Sequence, residues 1–155
     1  ECELAVVLGR DARDVPAGQT RDYIFGYTIL NDVSARDVQT AHKQWYFGKS
    51  LDGFTPIGPC IVTADAFADY PPRLGIRSFV NGEKRQDSNT ALQIFDIDHV
   101  IAELSQGMTL KAGTIIATGT PAGVGMGMDP PQFLKPGDVV RCEIDGIGTL
   151  NNPVK

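Results

Sequence analysis

The stretch Arg73-Leu74-Gly75-Ile76-Arg77-Ser78-Phe79-Val80-Asn81-Gly82-Glu83-Lys84-Arg85-Gln86-Asp87 reads as a β-hairpin. Two strand-forming runs flank Asn81-Gly82, and Asn-Gly favours the type I′ turn whose twist matches that of paired strands. Towards the C-terminal end the pattern recurs in Val139–Ile144, Asp145-Gly146 and Ile147–Leu150. Between the two hairpins the best predicted helix runs from Ile97 to Gln106. Its apolar residues Ile97, Val100, Ile101 and Leu104 share one face, and Gly107 follows as a stop. Thr114–Thr118 predicts a buried strand. Towards the N-terminal end Glu3–Leu8, Ile24–Val33 and Ile57–Thr63 are strand-like. Ala17–Tyr23 and Ala35–Gln44 predict short helices, the second with Ser34 as N-cap. Strands outnumber helices and no βαβ alternation appears. The chain is therefore expected to be a β-rich α+β domain and not a doubly wound one.

A length of 155 residues suits one domain with a real core. Apolar residues at 42% against 21% charged mark a globular composition and not a disordered one. Fourteen Lys and Arg against 19 Asp and Glu leave a net charge of −5. With no basic stripe, the chain is a poor candidate for a nucleic-acid backbone, which needs clustered cations. The longest aliphatic runs, such as Ala5-Val6-Val7-Leu8, stop far short of the ~20 residues of a membrane span, so no membrane partner is expected. Cys2, Cys60 and Cys142 form no C-x-x-C pair, and no Asn-x-Ser/Thr sequon occurs. Free thiols in a reducing cytoplasm fit both facts. The chain opens directly inside a strand-like run, and natural termini are seldom so apolar. The expectation is that further residues precede Glu1 in the whole protein.

Two motifs mislead. Gly48-Lys49-Ser50 resembles the end of a phosphate-binding loop, but position 43, where that loop needs glycine, is Lys43. The glycines at 119, 123, 125 and 127 lack dinucleotide spacing.

Other residues carry more chemistry. Glu1 and Glu3, at i and i+2, point to the same face of a strand. Their repulsion is relieved by a divalent cation, and oxygen-only ligands suit Mg²⁺, Mn²⁺ or Ca²⁺; a solvent-facing strand edge is the plainer alternative. Asp32 ends an apolar run and is placed to complete a three-carboxylate site. Arg36, with Asp37 and Gln39 on the same first helical turn, offers a planar fork that matches a substrate carboxylate. A helix cap with solvated charges would read the same way. Lys49 follows Trp45, Tyr46 and Phe47 and precedes Phe54 and Pro56. Either its ammonium is buried beside an anion, or its stem covers apolar surface. Thr120, in Thr118-Gly119-Thr120-Pro121, either presents its hydroxyl and N–H from a tight turn or simply makes the turn. His42 and His99 carry little weight, and no Ser-His-Asp arrangement is legible.

Taken together, these segments resemble the fumarylacetoacetate hydrolase family. The matching stretches are Glu1 to Val7, Gly26 to Gln39, Gly48 to Pro59, Thr118 to Gly125, Leu134 to Asp138 and Glu143 to Gly148. The resemblance implies a β-rich roll of stacked mixed sheets with a few short helices, in a homodimer. It implies Glu1, Glu3 and Asp32 as ligands of a divalent ion, Mg²⁺ first, and Arg36, Gln39, Lys49 and Thr120 as substrate contacts, with Lys49 and Thr120 in the catalytic machinery. Small 2-oxo or β-diketo acids are the implied substrates. Cleaving an acylpyruvate C–C bond leaves an enolate, whose charge a cation and a Lys ammonium stabilise, and the attacking water needs a base. In the family's smaller members that base lies on a lid segment before the Glu-x-Glu motif. Residues 1–155 are thus expected to form one catalytic domain without its lid. The first expectation is a C–C hydrolase. An oxaloacetate tautomerase or decarboxylase, or a 2-oxo-diene-dioate isomerase, would use the same ligands. A non-catalytic metal-binding domain is the third reading. Gly125 to Pro131 is expected at the mouth of the site.

Overall fold

In the computed structural model, which describes residues 1–41 and 43–155, two four-stranded sheets stack on each other. His42 lies outside the described residues. The first sheet has the order β3-β2-β1-β6. At its centre β1 (Cys2–Leu8) is buried along its whole length, as the apolar run Leu4 to Leu8 requires of a strand covered on both faces, with the Glu3 carboxylate buried among them. It pairs antiparallel with β2 (Ile24–Asn31), Cys2 opposite Asn31 and Ala5 opposite Thr28. On its other side lies β6 (Ile115–Ala117), and β3 (Ile57–Thr63) forms the far edge against β2.

The second sheet has the order β5-β4-β7-β8. Both hairpins that the sequence predicts are present. β4 (Gly75–Val80) and β5 (Glu83–Asn89) are joined by Asn81 and Gly82 at φ 52° and 85°, the pair of positive angles that a type I′ turn needs. β7 (Val139–Ile144) and β8 (Gly148–Pro153) return through three residues. Ile147 therefore belongs to the turn and not to the strand; its N–H donates to the Ile144 carbonyl at 3.1 Å. Leu4, Val6, Leu8, Tyr27 and Ile29 from the first sheet meet Ile76, Val140 and Ile144 from the second in one core. Each fully buried aliphatic side chain there contributes about 1.5–3 kcal/mol.

Among the described residues, three short α-helices decorate the sheets: α1 (Arg36–Ala41), α2 (Tyr46–Lys49) and α3 (Ile97–Ser105). Asp96 caps α3 by accepting from the His99 N–H at 2.8 Å. Ile97 and Ile101 enter the core, while Leu104 stays partly exposed. Several expectations are corrected. The pairings are antiparallel throughout the described residues, not mixed. A parallel pair needs a long crossover, and α3, the longest helix, joins β5 to β6 in different sheets. The predicted helix over 17–23 shrinks to one 3-10 turn, Thr20–Tyr23, after Gly18 at φ 84°. In β6 only Ile116 is buried. Cys2 and Cys142 are buried free thiols, and Cys60 is exposed. No described helix is long and apolar enough to cross a membrane.

Candidate metal and substrate site

The register of the first sheet assembles the carboxylates. Because Cys2 lies opposite Asn31, Glu1 just before β1 and Asp32 just after β2 meet at the same end of the sheet. The Asp32 N–H donates to the Glu1 carbonyl at 2.9 Å. Glu3 lies two residues along β1 on the same face, as the i, i+2 spacing predicts. One carboxylate oxygen from each of Glu1, Glu3 and Asp32 lies within 4.8 Å of the others.

Two cations close over them. Arg36, the first residue of α1, pairs with Glu1 and donates to the Gln39 Oε1 at 2.9 Å. Lys49, the last residue of α2, pairs with Asp32 and reaches Glu1 Oε2 at 3.2 Å and Ser34 Oγ at 3.1 Å. The two helices touch closely enough for this because a side chain on Gly48 would collide with the Gln39 backbone. The Ala35 N–H also donates to the Gly48 carbonyl at 2.8 Å. Ser34, expected as a helix cap, instead bonds the Lys49 ammonium. Gln39 is buried, and its contact is with Arg36, which it orients. Thr120 donates its hydroxyl to the Cys2 carbonyl at 2.9 Å, tying the turn after β6 to the strand between the two glutamates. Next to it, the Gly119 N–H donates to Glu3 Oε2 at 2.9 Å.

The three carboxylates differ electrically. Burial opposes the charge of Glu1, but the Arg36 hydrogen bond and the Lys49 and Arg36 charges prevail, holding its pKa below the ordinary value. Glu3 is pushed the other way, first by burial and then by the charges of Asp32 and Glu1, with only the Gly119 N–H and Lys49 opposing. Three carboxylates face two cations, Arg36 and Lys49, which leaves one formal negative charge on a hard, all-oxygen donor set. That is the chemistry Mg²⁺, Mn²⁺ or Ca²⁺ requires, and the residues present fit such an ion.

Glu1, Asp32 and Arg36 line a cleft of about 850 Å³ whose apolar wall includes Phe54, Val124, Met126, Phe133 and Leu134. Of the segment Gly125 to Pro131 expected at the site mouth, Gly125 and Met126 line this cleft and residues 127–131 do not. Thr120 lines a neighbouring cavity of about 510 Å³, and neither it nor Lys49 is among the residues lining the larger cleft.

Gln86 is a site residue that sequence reasoning missed. It is buried in β5. Its Oε1 accepts from the Cys2 N–H at 2.9 Å, and its Nε2 donates to Thr120 Oγ1 and to the Pro121 carbonyl, both at 2.8 Å. One amide thus clamps the glutamate-bearing strand to the Thr120 turn across the two sheets. No spacing announces it; the role exists only once the sheets are stacked. Gln86→Ala leaves the buried Cys2 N–H without a partner, which costs about 1–3 kcal/mol. The expected result is a lower thermal midpoint together with weaker Mg²⁺ binding, measured by denaturation with and without the ion. An unchanged midpoint would show that the clamp is dispensable.

Comparison with known proteins places this arrangement. The family described as fumarylacetoacetate (FAA) hydrolase C-terminal matches residues 1–155. The chain is 49% identical over 154 residues to a Bacillus subtilis protein named oxaloacetate tautomerase YisK, covering 99% of this chain and 51% of that protein. Among solved structures, a fumarylacetoacetate hydrolase from Exiguobacterium antarcticum superposes with a TM-score of 0.96 at 52% identity, over 100% of this chain and 55% of that one. A 2-hydroxyhepta-2,4-diene-1,7-dioate isomerase from Mycobacterium marinum superposes with a TM-score of 0.88 at 48% identity, over 99% and 56% of the two chains. The chain spans about half the length of the curated relatives it matches.

Proposed function

We propose that this chain, which belongs to the fumarylacetoacetate hydrolase family, carries the anion-stabilising site of a divalent-cation-dependent enzyme that interconverts the enol and keto forms of small 2-oxo acids such as oxaloacetate. The observation behind this reading is the convergence of Glu1, Glu3 and Asp32 under two cations, Arg36 and Lys49. Keto–enol exchange moves one proton between carbon and oxygen and breaks no C–C bond. Its barrier is the negative charge that gathers on the 2-oxo oxygen, and fixed positive charges in a partly dry site lower it. Glu1, Glu3 and Asp32 would hold the divalent cation, Mg²⁺ first, which would add electrostatic stabilisation at that oxygen. Arg36, steadied by Gln39, would take the substrate carboxylate in its fork. Lys49 would lie against the forming oxyanion. Thr120 keeps the glutamate strand and its turn in register with them. The name of the Bacillus subtilis relative supports this substrate class. We include a homodimer and a cytoplasmic setting in the proposal, with a small acid and neither nucleic acid nor a membrane as partner.

A second reading, hydrolytic C–C cleavage of an acylpyruvate, is favoured by the cleft. At about 850 Å³ with an apolar wall it has room for an acyl chain, and the Exiguobacterium neighbour bears the hydrolase name. Hydrolysis asks for an activated water in addition to the charges above.

One experiment separates the readings. The full-length protein is given enol-rich oxaloacetate and, in parallel, acetylpyruvate, with Mg²⁺ and then with chelator. Metal-dependent loss of enol absorbance from oxaloacetate, without pyruvate release from acetylpyruvate, is the expected result. Metal-dependent pyruvate release would move the assignment to the hydrolase. No change in either would overturn both.

A further inference from the structure

Arg85 lies on the same cleft as the carboxylate cluster, and a β-bulge brings it there. Along the β4–β5 pair Ser78 is opposite Gln86 and Phe79 is opposite Lys84, so Arg85 is the extra residue with no partner. Strict alternation would send Arg85 and Gln86 to opposite faces of the sheet. The bulge breaks that alternation, and both residues line the cleft. The loop across from the bulge conforms to it. Gly123, at φ 110°, lies so close to the Arg85 carbonyl that a Cβ there would overlap it. Gln86 bonds the Cys2 N–H at 2.9 Å, so the guanidinium belongs to the residue adjoining one that touches the glutamate strand.

The anions around Arg85 are both on the solvent side: Glu83, and Asp138, whose pKa is lowered first by its Asn81 hydrogen bond and in small part by the Arg85 charge. The Arg85 Nη1 donates to Gln132 Oε1 and lies 3.0 Å from Met128 Sδ, both neutral groups. Its Nη2 meets Glu83 at 3.2 Å, but the Glu83 side chain is 68% exposed, and water screens such a pair. Its Nε is buried with no hydrogen-bond partner among the described residues. The Arg85 side chain itself is only 16% exposed. A half-dry guanidinium facing a cleft that already holds one carboxylate-binding fork invites a second carboxylate. Among the described residues, the cleft's remaining cation beyond Arg36 and Arg85 is Lys155.

We infer that Arg85 is a specificity-determining residue, which selects 2-oxo acids bearing a second, distal carboxylate over their monocarboxylate counterparts. The inference rests on the 2-oxo acid reading of the cleft. Arg36 and the carboxylate-bound cation would engage the 2-oxo acid end, and Arg85 the far end. Phe133, Leu134 and Met126 would line the carbon chain between them.

The test uses two ligands with the same carbon chain, 2-oxoglutarate and 2-oxopentanoate, which differ only in the distal carboxylate. Binding to the full-length protein in Mg²⁺ is measured by calorimetry, so no turnover is required. The wild type is expected to prefer 2-oxoglutarate by about tenfold or more, the discrimination one charge-assisted pair supplies. Arg85→Met is expected to erase that preference while leaving 2-oxopentanoate affinity within about twofold. Arg85→Lys, which keeps the charge and loses the fork, is expected to retain part of it, and it stands in if the Met variant does not fold. A preference that survives Arg85→Met, an equal loss for both ligands, or a wild type that does not discriminate would each overturn the inference. Equal loss would assign Arg85 to bracing the Gln132 segment. If the wild type binds neither ligand, the 2-oxo acid reading itself falls and takes this inference with it.

Discussion

Asp32→Ala is expected to abolish tight Mg²⁺ binding by the full-length protein. Asp32 is held in place by backbone and not by chance. It follows the residue paired with Cys2, and its own N–H donates to the Glu1 carbonyl. The substitution therefore leaves the fold at that corner intact and removes only the carboxylate. The charge count makes the effect large. With Asp32, three carboxylates face Arg36 and Lys49, and one negative charge remains uncompensated to draw a dication. Without it, two carboxylates face the same two cations and the balance is zero. Losing an outer-shell partner of a metal ligand typically costs 10–100-fold in affinity; losing a ligand together with the site's net charge is expected to cost more than about a hundredfold. Asp32→Asn serves as the control for shape, since it keeps the side-chain volume and loses the charge, and the same collapse is expected. Calorimetric titration with Mg²⁺ reads both variants. Unchanged affinity in either would remove Asp32 from the ligand set and with it the three-carboxylate site.

The parts of this protein that could be read from sequence are those that local chemistry dictates. Asn81-Gly82 marks its hairpin because few residues tolerate two positive φ angles in succession. Glu1 and Glu3 share a face because a strand repeats every two residues, and Asp32 stands at a strand end because the apolar run stops there. What the cations do was not legible. The sequence offers Arg36 and Lys49 as candidates with plain alternatives, and only the packing of α1 on α2 through Gly48 brings both onto the same carboxylates. Gln86 was invisible for a related reason. Its partners, Cys2, Thr120 and Pro121, come from segments far away in the chain, and a buried amide in a strand has no spacing to betray it. The bulge at Arg85 has no signal in the sequence, because Asn81-Gly82 fixes the turn and says nothing of an inserted residue further along the strand. The glycines at 123 and 125, puzzling as a nucleotide motif, find their reason in packing. A side chain at either would overlap a carbonyl oxygen, that of Arg85 or that of Gln132.

Lys49→Met is expected to move catalysis and metal affinity in opposite directions, and that separates a working charge from a structural one. Burial works against the Lys49 charge, but the Asp32 hydrogen bond and the Glu1 and Asp32 charges outweigh it and raise its pKa. Below that raised value, and so through neutral pH, the side chain is an ammonium. In the structure that charge is spent on Glu1 and Asp32, the groups a divalent cation would use. Lys49 and the dication therefore compete for the same oxygens, and they repel each other when both are present. Removing the ammonium lifts that competition, so Mg²⁺ affinity is expected to rise. On the proposed reading, the same removal takes away a charge that would face the developing oxyanion. Losing one such group typically costs about 10²–10³ in turnover, and a fall of that order in enol–keto exchange is expected. Methionine keeps the stem's length and apolar character and removes only the charge. Calorimetry with Mg²⁺ and the oxaloacetate enol assay, run on the same preparation, give both readings. If affinity and turnover fall together, Lys49 is a strut for the site and not part of its chemistry. If turnover is untouched while affinity rises, the ammonium guards the carboxylates until the metal arrives, and the oxyanion must be met by Arg36 and the cation alone.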